Sequence, residues 1–271
     1  MKLTNISVFP IKSAKGFSLE STLIESMGIP YDRSFAIIGA DDKIITAREN
    51  PLLLTIQTKI ENGYLELSSA GKETILLVFA ELEQDTSISV GIFSDFTNAI
   101  PIHHRVNDWL STILKQPVRL IKTDPDALRK MNEKYAPVNQ EVIRFCDLAP
   151  LHLISKSSLA DLNSNLDQPV TTNRFRPNLV IEGSQPYVED QWKTIQIGDC
   201  IFEVGMKTMR CNFLTLHPET TQRDPNQEPL RTLSKIRKVG NEVSFGIYLI
   251  PRKLGMIKQR DRLIVLDHYA G

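Results

Sequence analysis

Cysteine is scarce in this chain. Among 271 residues there are three, Cys146, Cys200 and Cys211, and so small and odd a set does not build a disulfide framework. No two of them form a C-x-x-C pair, and the C-x-x-x-x-C-x-x-C spacing of a plant-type iron–sulfur site is missing, which excludes that cluster. Neither sign of charge is in excess. Thirty-two Lys and Arg balance thirty-two Asp and Glu, so no global field draws the chain to nucleic acid or anionic lipid, and any anion site must be local. Long apolar runs are absent too, and the opening Met1-Lys2-Leu3-Thr4-Asn5-Ile6 has no basic leader followed by an apolar stretch. The expectation is a soluble, cytoplasmic protein with no membrane and no nucleic acid among its partners. There is no internal repeat or low-complexity tract. Walker, H-E-x-x-H and Ser-His-Asp patterns are likewise missing, and the five histidines are too scattered to suggest a zinc site.

What is present is a succession of short strand patterns. The length suggests about two domains, divided near residue 125 into 1–125 and 126–271. In the first half, strands are expected over residues 3–10, 21–26, 35–39, 44–47, 52–60, 64–68 and 74–78, with Asn62-Gly63 as a hairpin turn. The period then becomes helical through Val106, Trp109, Leu110, Ile113 and Leu114, and Pro117 stops it. In the second half, a polar stretch at 125–142 reads as a linker or a loop over the site. Residues 151–154 form an apolar strand, and Ser155 reads as the N-cap of the helix after it. Strands follow at 179–182, 201–204, 243–250 and 263–267, with a basic helix-like segment at 234–238. Many short strands separated by turns point to barrels or sandwiches.

The chemistry-bearing residues lie at the ends of these strands. Arg210-Cys211 follows an alternating apolar run. Thiolate is a soft metal ligand and a strong nucleophile, and a neighbouring cation favours it; a lone cysteine there is equally compatible with a small buried hydrophobe. Lys12-Ser13-Ala14-Lys15-Gly16 puts two cations, a hydroxyl and a glycine at a strand end, which suits a phosphate loop or an ordinary solvated turn. Arg33 and Arg48 follow, each also readable as half of a surface ion pair. In Arg174-Phe175-Arg176-Pro177-Asn178 an extended backbone turns one arginine toward a pocket, and a guanidinium fork matches phosphate.

Taken together, these segments resemble a known family. Lys12-Ser13 after Phe9-Pro10-Ile11, then Asp32-Arg33 and Thr46-Ala47-Arg48, resemble the N-terminal barrel that precedes MOSC domains. The MOSC domain itself is resembled by Leu159-Ala160-Asp161-Leu162-Asn163, Phe175-Arg176-Pro177-Asn178, Ile197-Gly198-Asp199, Arg210-Cys211, Glu228-Pro229-Leu230 and Phe245-Gly246. The pattern runs in order over nearly the whole chain and is similar to that of amidoxime-reducing components and YcbX-type proteins. It implies an α+β, mainly β fold: an N-terminal β-barrel-like domain, then a MOSC β-barrel with peripheral helices.

The resemblance also implies a molybdenum cofactor (molybdenum on molybdopterin) and a site to hold it. Cys211 would be the metal ligand and catalytic residue. Lys12, Ser13, Arg33, Arg176, Asn178 and Arg210 would bind the cofactor, and Asp147, Ser155 and Ser158 fall in segments that approach the pterin in relatives. The implied reaction is two-electron reduction of small N-hydroxylated compounds such as amidoximes, hydroxylamines and N-hydroxylated bases. YcbX-type proteins often carry a ferredoxin tail that this sequence lacks, so the electrons are expected from a separate flavin, haem or iron–sulfur donor protein. Two departures stand out: Thr208-Met209 replaces the Cys-Ser that relatives have before Arg-Cys, and Arg260-Asp261 replaces a Gly-Asp turn. The rival reading is a molybdenum-cofactor carrier or sulfur-transfer module with a persulfide on Cys211. A third is a β-rich binding protein with Cys211 in its core.

Overall fold

The computed structural model describes residues 1–82, 86–103, 105–132 and 141–269. Residues 133–140 of the expected 125–142 loop, and His104, lie outside the described residues. The chain is mainly β, as its alternating segments imply. A nine-stranded sheet carries one of the two main cores. Eight of its strands run in the order Phe17–Leu19, Lys2–Val8, Leu179–Glu182, Leu151–Ser155, Glu242–Lys253, Cys200–Met209, Trp192–Ile197 and Leu263–His268, and Lys238–Val239 pairs with Glu242–Lys253. Leu151–Ser155 is buried at every residue, as expected of a strand covered on both faces. It runs parallel to Leu179–Glu182, and the helix Lys156–Ser164 lies between them in the chain, the crossover that parallel pairing requires. Leu3, Ile6, Trp192, Phe202, Ile247 and Leu249 pack together in this core.

Sheet membership does not follow chain order. Lys2–Val8 pairs with Leu179–Glu182 through Lys2↔Glu182 and Ile6↔Leu179, and Ser21–Ile24 pairs with Gly255–Lys258. The first strand therefore ends inside the second half's sheet and delivers Phe9 to Ser13 beside it. A four-stranded sheet of Phe35–Ile38, Arg119–Thr123, Asp95–Pro101 and Ile88–Ile92 forms most of the first half, with a three-stranded sheet of Gln57–Glu61, Tyr64–Ser68 and Ile75–Val78. The helix Val106–Leu114 buries Val106, Trp109, Leu110, Ile113 and Leu114 against it, the face that the sequence period marks.

Two expected strands are corrected. Residues 44–47 form no strand: Ile44 makes an isolated bridge to Ile38, and the turn at 47–49 is tied by the Glu49 carboxylate, which accepts from the Thr46 N–H at 2.6 Å and its hydroxyl at 2.7 Å. Residues 52–60 divide into the 3-10 helix Pro51–Thr55 and the strand Gln57–Glu61. Asn50 caps the helix by accepting from Leu52 N, and Pro51 suits a first helical position. The apolar Leu53 and Leu54 fill the core from this helix rather than from a strand. The basic segment expected at 234–238 is the end of the helix Leu230–Ile236. Arg260 keeps a left-handed backbone at φ 77°. Among the described residues no helix is long and apolar enough to cross a membrane.

Candidate cofactor site

Where the two halves meet, a cleft is lined by Lys12, Ser13, Arg33, Asp147, Arg176, Asn178, Arg210 and Cys211, eight of the ten residues singled out above. Each arrives from a strand end. Lys12 is buried; its ammonium donates to the Phe145 carbonyl at 2.8 Å and pairs with Asp147. Asp32 is fully buried and accepts from the Phe9 N–H at 2.8 Å. It also pairs with Arg33. Burial opposes the charge of Arg33, but the Asp32 carboxylate, together with Cys146 and Asp147, more than compensates and raises its pKa above the usual value.

Arg33 reaches across the boundary between the halves. It donates to the Asn178 side-chain oxygen at 3.0 Å and to the Arg176 carbonyl at 3.3 Å. Asn178, 1% exposed, donates in turn to the Ser7 carbonyl at 3.1 Å. The Arg33 and Arg176 guanidiniums both lie on the Phe9 ring, at 4.6 and 4.3 Å from its centroid. Ser13, Arg33 and Arg176 adopt left-handed backbones at φ 68°, 50° and 52°, a conformation costly for non-glycine residues and concentrated at functional sites.

Arg176 and Arg210 form no ion pair among the described residues. Arg176 donates to the Ala14 carbonyl, and Arg210 donates to the Phe245 carbonyl through Nε at 2.9 Å and to the His152 ring nitrogen through Nη2. Burial, and for Arg176 also the charge of Arg33, pulls their pKa values down to about 9 and about 10. Two guanidiniums held in surroundings that oppose their charge, with no carboxylate in direct ion-pair contact among the described residues, are suited to pair with an incoming anion. Arg48 and Thr46 line the same cleft. Cys211 is exposed and begins the 3-10 turn Asn212–Thr215 as the strand Cys200–Met209 ends.

Among the described residues no three His, Cys, Asp or Glu side chains cluster to hold a bare metal ion. The donor set is one exposed thiol beside a group of cations. That set fits a metal delivered on its own anionic organic chelate, with a single open position for a protein thiolate.

Ser155 and Ser158 do not join the cleft. Both are fully buried and surround the Glu189 carboxylate, to which Ser158 donates at 2.6 Å and Ser155 at 3.2 Å. Ser155 also caps the helix Lys156–Ser164 by accepting from Ser158 N, as its sequence position indicates. The cleft adds residues not singled out before, His152, Tyr248 and Phe93, and is also lined by Met209 and Cys146. Burial, with the charge of Arg210 next, depresses the His152 pKa well below its usual value. Burial pushes the Tyr248 hydroxyl up and the Cys146 thiol up to about 11. No short motif marks His152 or Tyr248, which reach the cleft through the pairing His152↔Tyr248 between neighbouring strands.

Comparison with known proteins gives two family matches in chain order. Residues 1–117 match the MOSC N-terminal beta barrel domain and residues 140–264 match the MOSC domain. The rat protein named mitochondrial amidoxime reducing component 2 is 30% identical over 96% of this chain and 81% of its own length. Human mitochondrial amidoxime-reducing component 1 is 29% identical over 96% and 81%. A rice molybdenum cofactor sulfurase is 33% identical over 91% of this chain, which spans only 32% of that protein.

Proposed function

The chain belongs to the MOSC family, in the form that joins a MOSC domain to a MOSC N-terminal β-barrel, and we propose that it is a molybdenum-cofactor-dependent reductase of small N-hydroxylated compounds. The observation that supports this reading best is the meeting, in one cleft, of the exposed Cys211 thiol with the guanidiniums of Arg176 and Arg210, which form no ion pair among the described residues. Similarity to proteins named for amidoxime reduction, over four-fifths of their length, supports the substrate class.

In this reading Cys211 is the protein ligand of the metal. Lys12, Arg33, Arg176 and Arg210 neutralise the phosphate of the cofactor, with the Ser13 hydroxyl and the Asn178 amide as neutral partners. When bound, the cofactor supplies two-electron chemistry at its metal. The overall conversion consumes two electrons and two protons, and an N–OH group becomes N–H and water. The electrons come from a separate donor protein. Tyr248 keeps its hydroxyl proton at neutral pH, as a tyrosine ordinarily does and the more so because burial raises its pKa, and lines the cleft as a potential hydrogen-bond donor. His152 accepts from Arg210 and thereby orients the guanidinium next to Cys211.

The test is reduction of an amidoxime by the cofactor-loaded chain with a chemical electron donor, beside Cys211→Ala. The expected result is turnover that the substitution abolishes; full turnover in Cys211→Ala contradicts the assignment. The similarity to molybdenum cofactor sulfurases favours a second reading, sulfur transfer through Cys211. Cyanide-releasable sulfur on Cys211 without amidoxime turnover would establish that one instead.

A further inference from the structure

An aromatic residue occupies a position in the cleft wall that backbone chemistry reserves for small residues. The strands Ile88–Ile92 and Asp95–Pro101 pair up to Ile92↔Asp95, so Phe93 and Ser94 are the whole of a two-residue turn. Such turns need positive φ at their first residue and favour Gly, Asn or Asp there. Phe93 adopts φ 58° and leaves 54% of its surface exposed. Neither local sterics nor burial accounts for a phenylalanine at this place.

Its surroundings do. Phe93 lines the same cleft as Cys211. The Lys12 ammonium lies 4.8 Å from its ring centroid and the Arg48 guanidinium 5.4 Å, both within cation–π range. The hairpin is held against the first half by paired backbone bonds, Gly91 N to Asp42 O and Ile44 N to Gly91 O, both 2.9 Å. The ring therefore stands on a fixed support. Arg48 forms no ion pair among the described residues; its Nε donates only to the Thr46 hydroxyl, at 3.4 Å.

We propose that Phe93 is a positioning residue of the anion grip, its ring holding Lys12 and Arg48 at the cleft mouth and keeping water from one side of each. This rests on the cleft being an anion site, as the proposed function requires. A cation with one side against an aromatic face is less screened by solvent, and its pull on an anion is stronger. The left-handed strain at Phe93 is what an observed outlier with a functional role looks like.

The experiment is calorimetric titration of inorganic pyrophosphate into the full chain, prepared in a host that cannot make the cofactor. Phe93→Leu, which keeps an apolar side chain but loses the π face, is expected to weaken binding by about fivefold. Phe93→Trp is expected to hold the parent affinity, and Phe96→Leu, on the same hairpin but outside the cleft, to leave it unchanged. Phe93→Gly, which relieves the left-handed strain, is expected to melt no lower than the parent while binding as weakly as Phe93→Leu. Parent-like affinity in Phe93→Leu, with Arg176→Gln strongly weakened, overturns the role of Phe93 and leaves the anion site standing. Absence of pyrophosphate binding by the parent, or binding indifferent to Arg176→Gln, overturns the anion site and this proposal with it.

Discussion

His152 faces Arg210 across the cleft wall, with its ring nitrogen Nε2 against the guanidinium Nη2. A guanidinium can only donate, so this nitrogen must carry a lone pair and the ring must be neutral. Burial and the Arg210 charge act in the same direction, holding the His152 pKa well below its usual value.

That relationship makes stability depend on pH. In the unfolded chain His152 takes up a proton near pH 6.5, whereas in the folded chain it does not, so the unfolded state binds more protons below that point. Stability is fully present above the unfolded pKa and falls as the pH drops through the window down to the folded value. The contribution of this one group is a slope of about 1.4 kcal/mol per pH unit. Denaturant titrations between pH 7.5 and pH 5 should show the slope reduced by that amount in His152→Gln, which keeps an acceptor without a titrating ring. Equal slopes in the two proteins would contradict the neutral His152.

Thr208 belongs to one of the two departures from the resembled pattern. It is 1% exposed and its hydroxyl has no hydrogen-bond partner among the described residues. An unsatisfied buried hydroxyl costs about 1–3 kcal/mol. Thr208→Val, of similar shape, and Thr208→Cys should both raise the unfolding free energy, by about 1 kcal/mol. A loss of stability in both would show that the hydroxyl finds a partner in solution.

Ser158 separates a structural role from a cofactor role. It donates to Glu189 and accepts from Tyr187 N at 2.8 Å, around a carboxyl whose pKa is raised by burial. Ser158→Ala should destabilise the chain by about 1–2 kcal/mol and leave the molybdenum content of the surviving folded protein unchanged. Loss of metal without loss of stability would return Ser158 to the cofactor site.

Much of the cleft was legible in the residue order because its cationic side chains and its exposed thiol lie in short motifs at strand ends. Lys12-Ser13, Arg33 beside Asp32, Arg176 with Asn178, and Arg210-Cys211 are each local; all but the buried Asp32 line the cleft. What the order of residues does not carry is strand register. His152 sits in the uniformly buried strand Leu151–Ser155, where nothing in Leu-His-Leu-Ile-Ser marks the imidazole for a cleft; its pairing with Tyr248 decides that. Ser155 and Ser158 show the converse. Their helix-cap pattern is equally a phosphate-site pattern, and the choice falls to Glu189, thirty-one residues beyond Ser158, which faces the hydroxyls inward. The strand expected at 52–60 fails over its first residues, though not over Gln57–Glu61, because an apolar run alone does not separate a buried 3-10 turn from a strand, whereas Asn50-Pro51 does.

The central claim is that this cleft holds the molybdenum cofactor through Cys211 and a cationic cradle. Its most direct test is molybdenum and oxidised-pterin analysis of the full chain purified from a cofactor-competent host supplied with molybdate, beside the folded double variant Arg176→Gln/Arg210→Gln. The account predicts molybdenum and pterin equimolar with the parent chain and both lost from the variant. A parent free of both, or a variant that retains both, would contradict it.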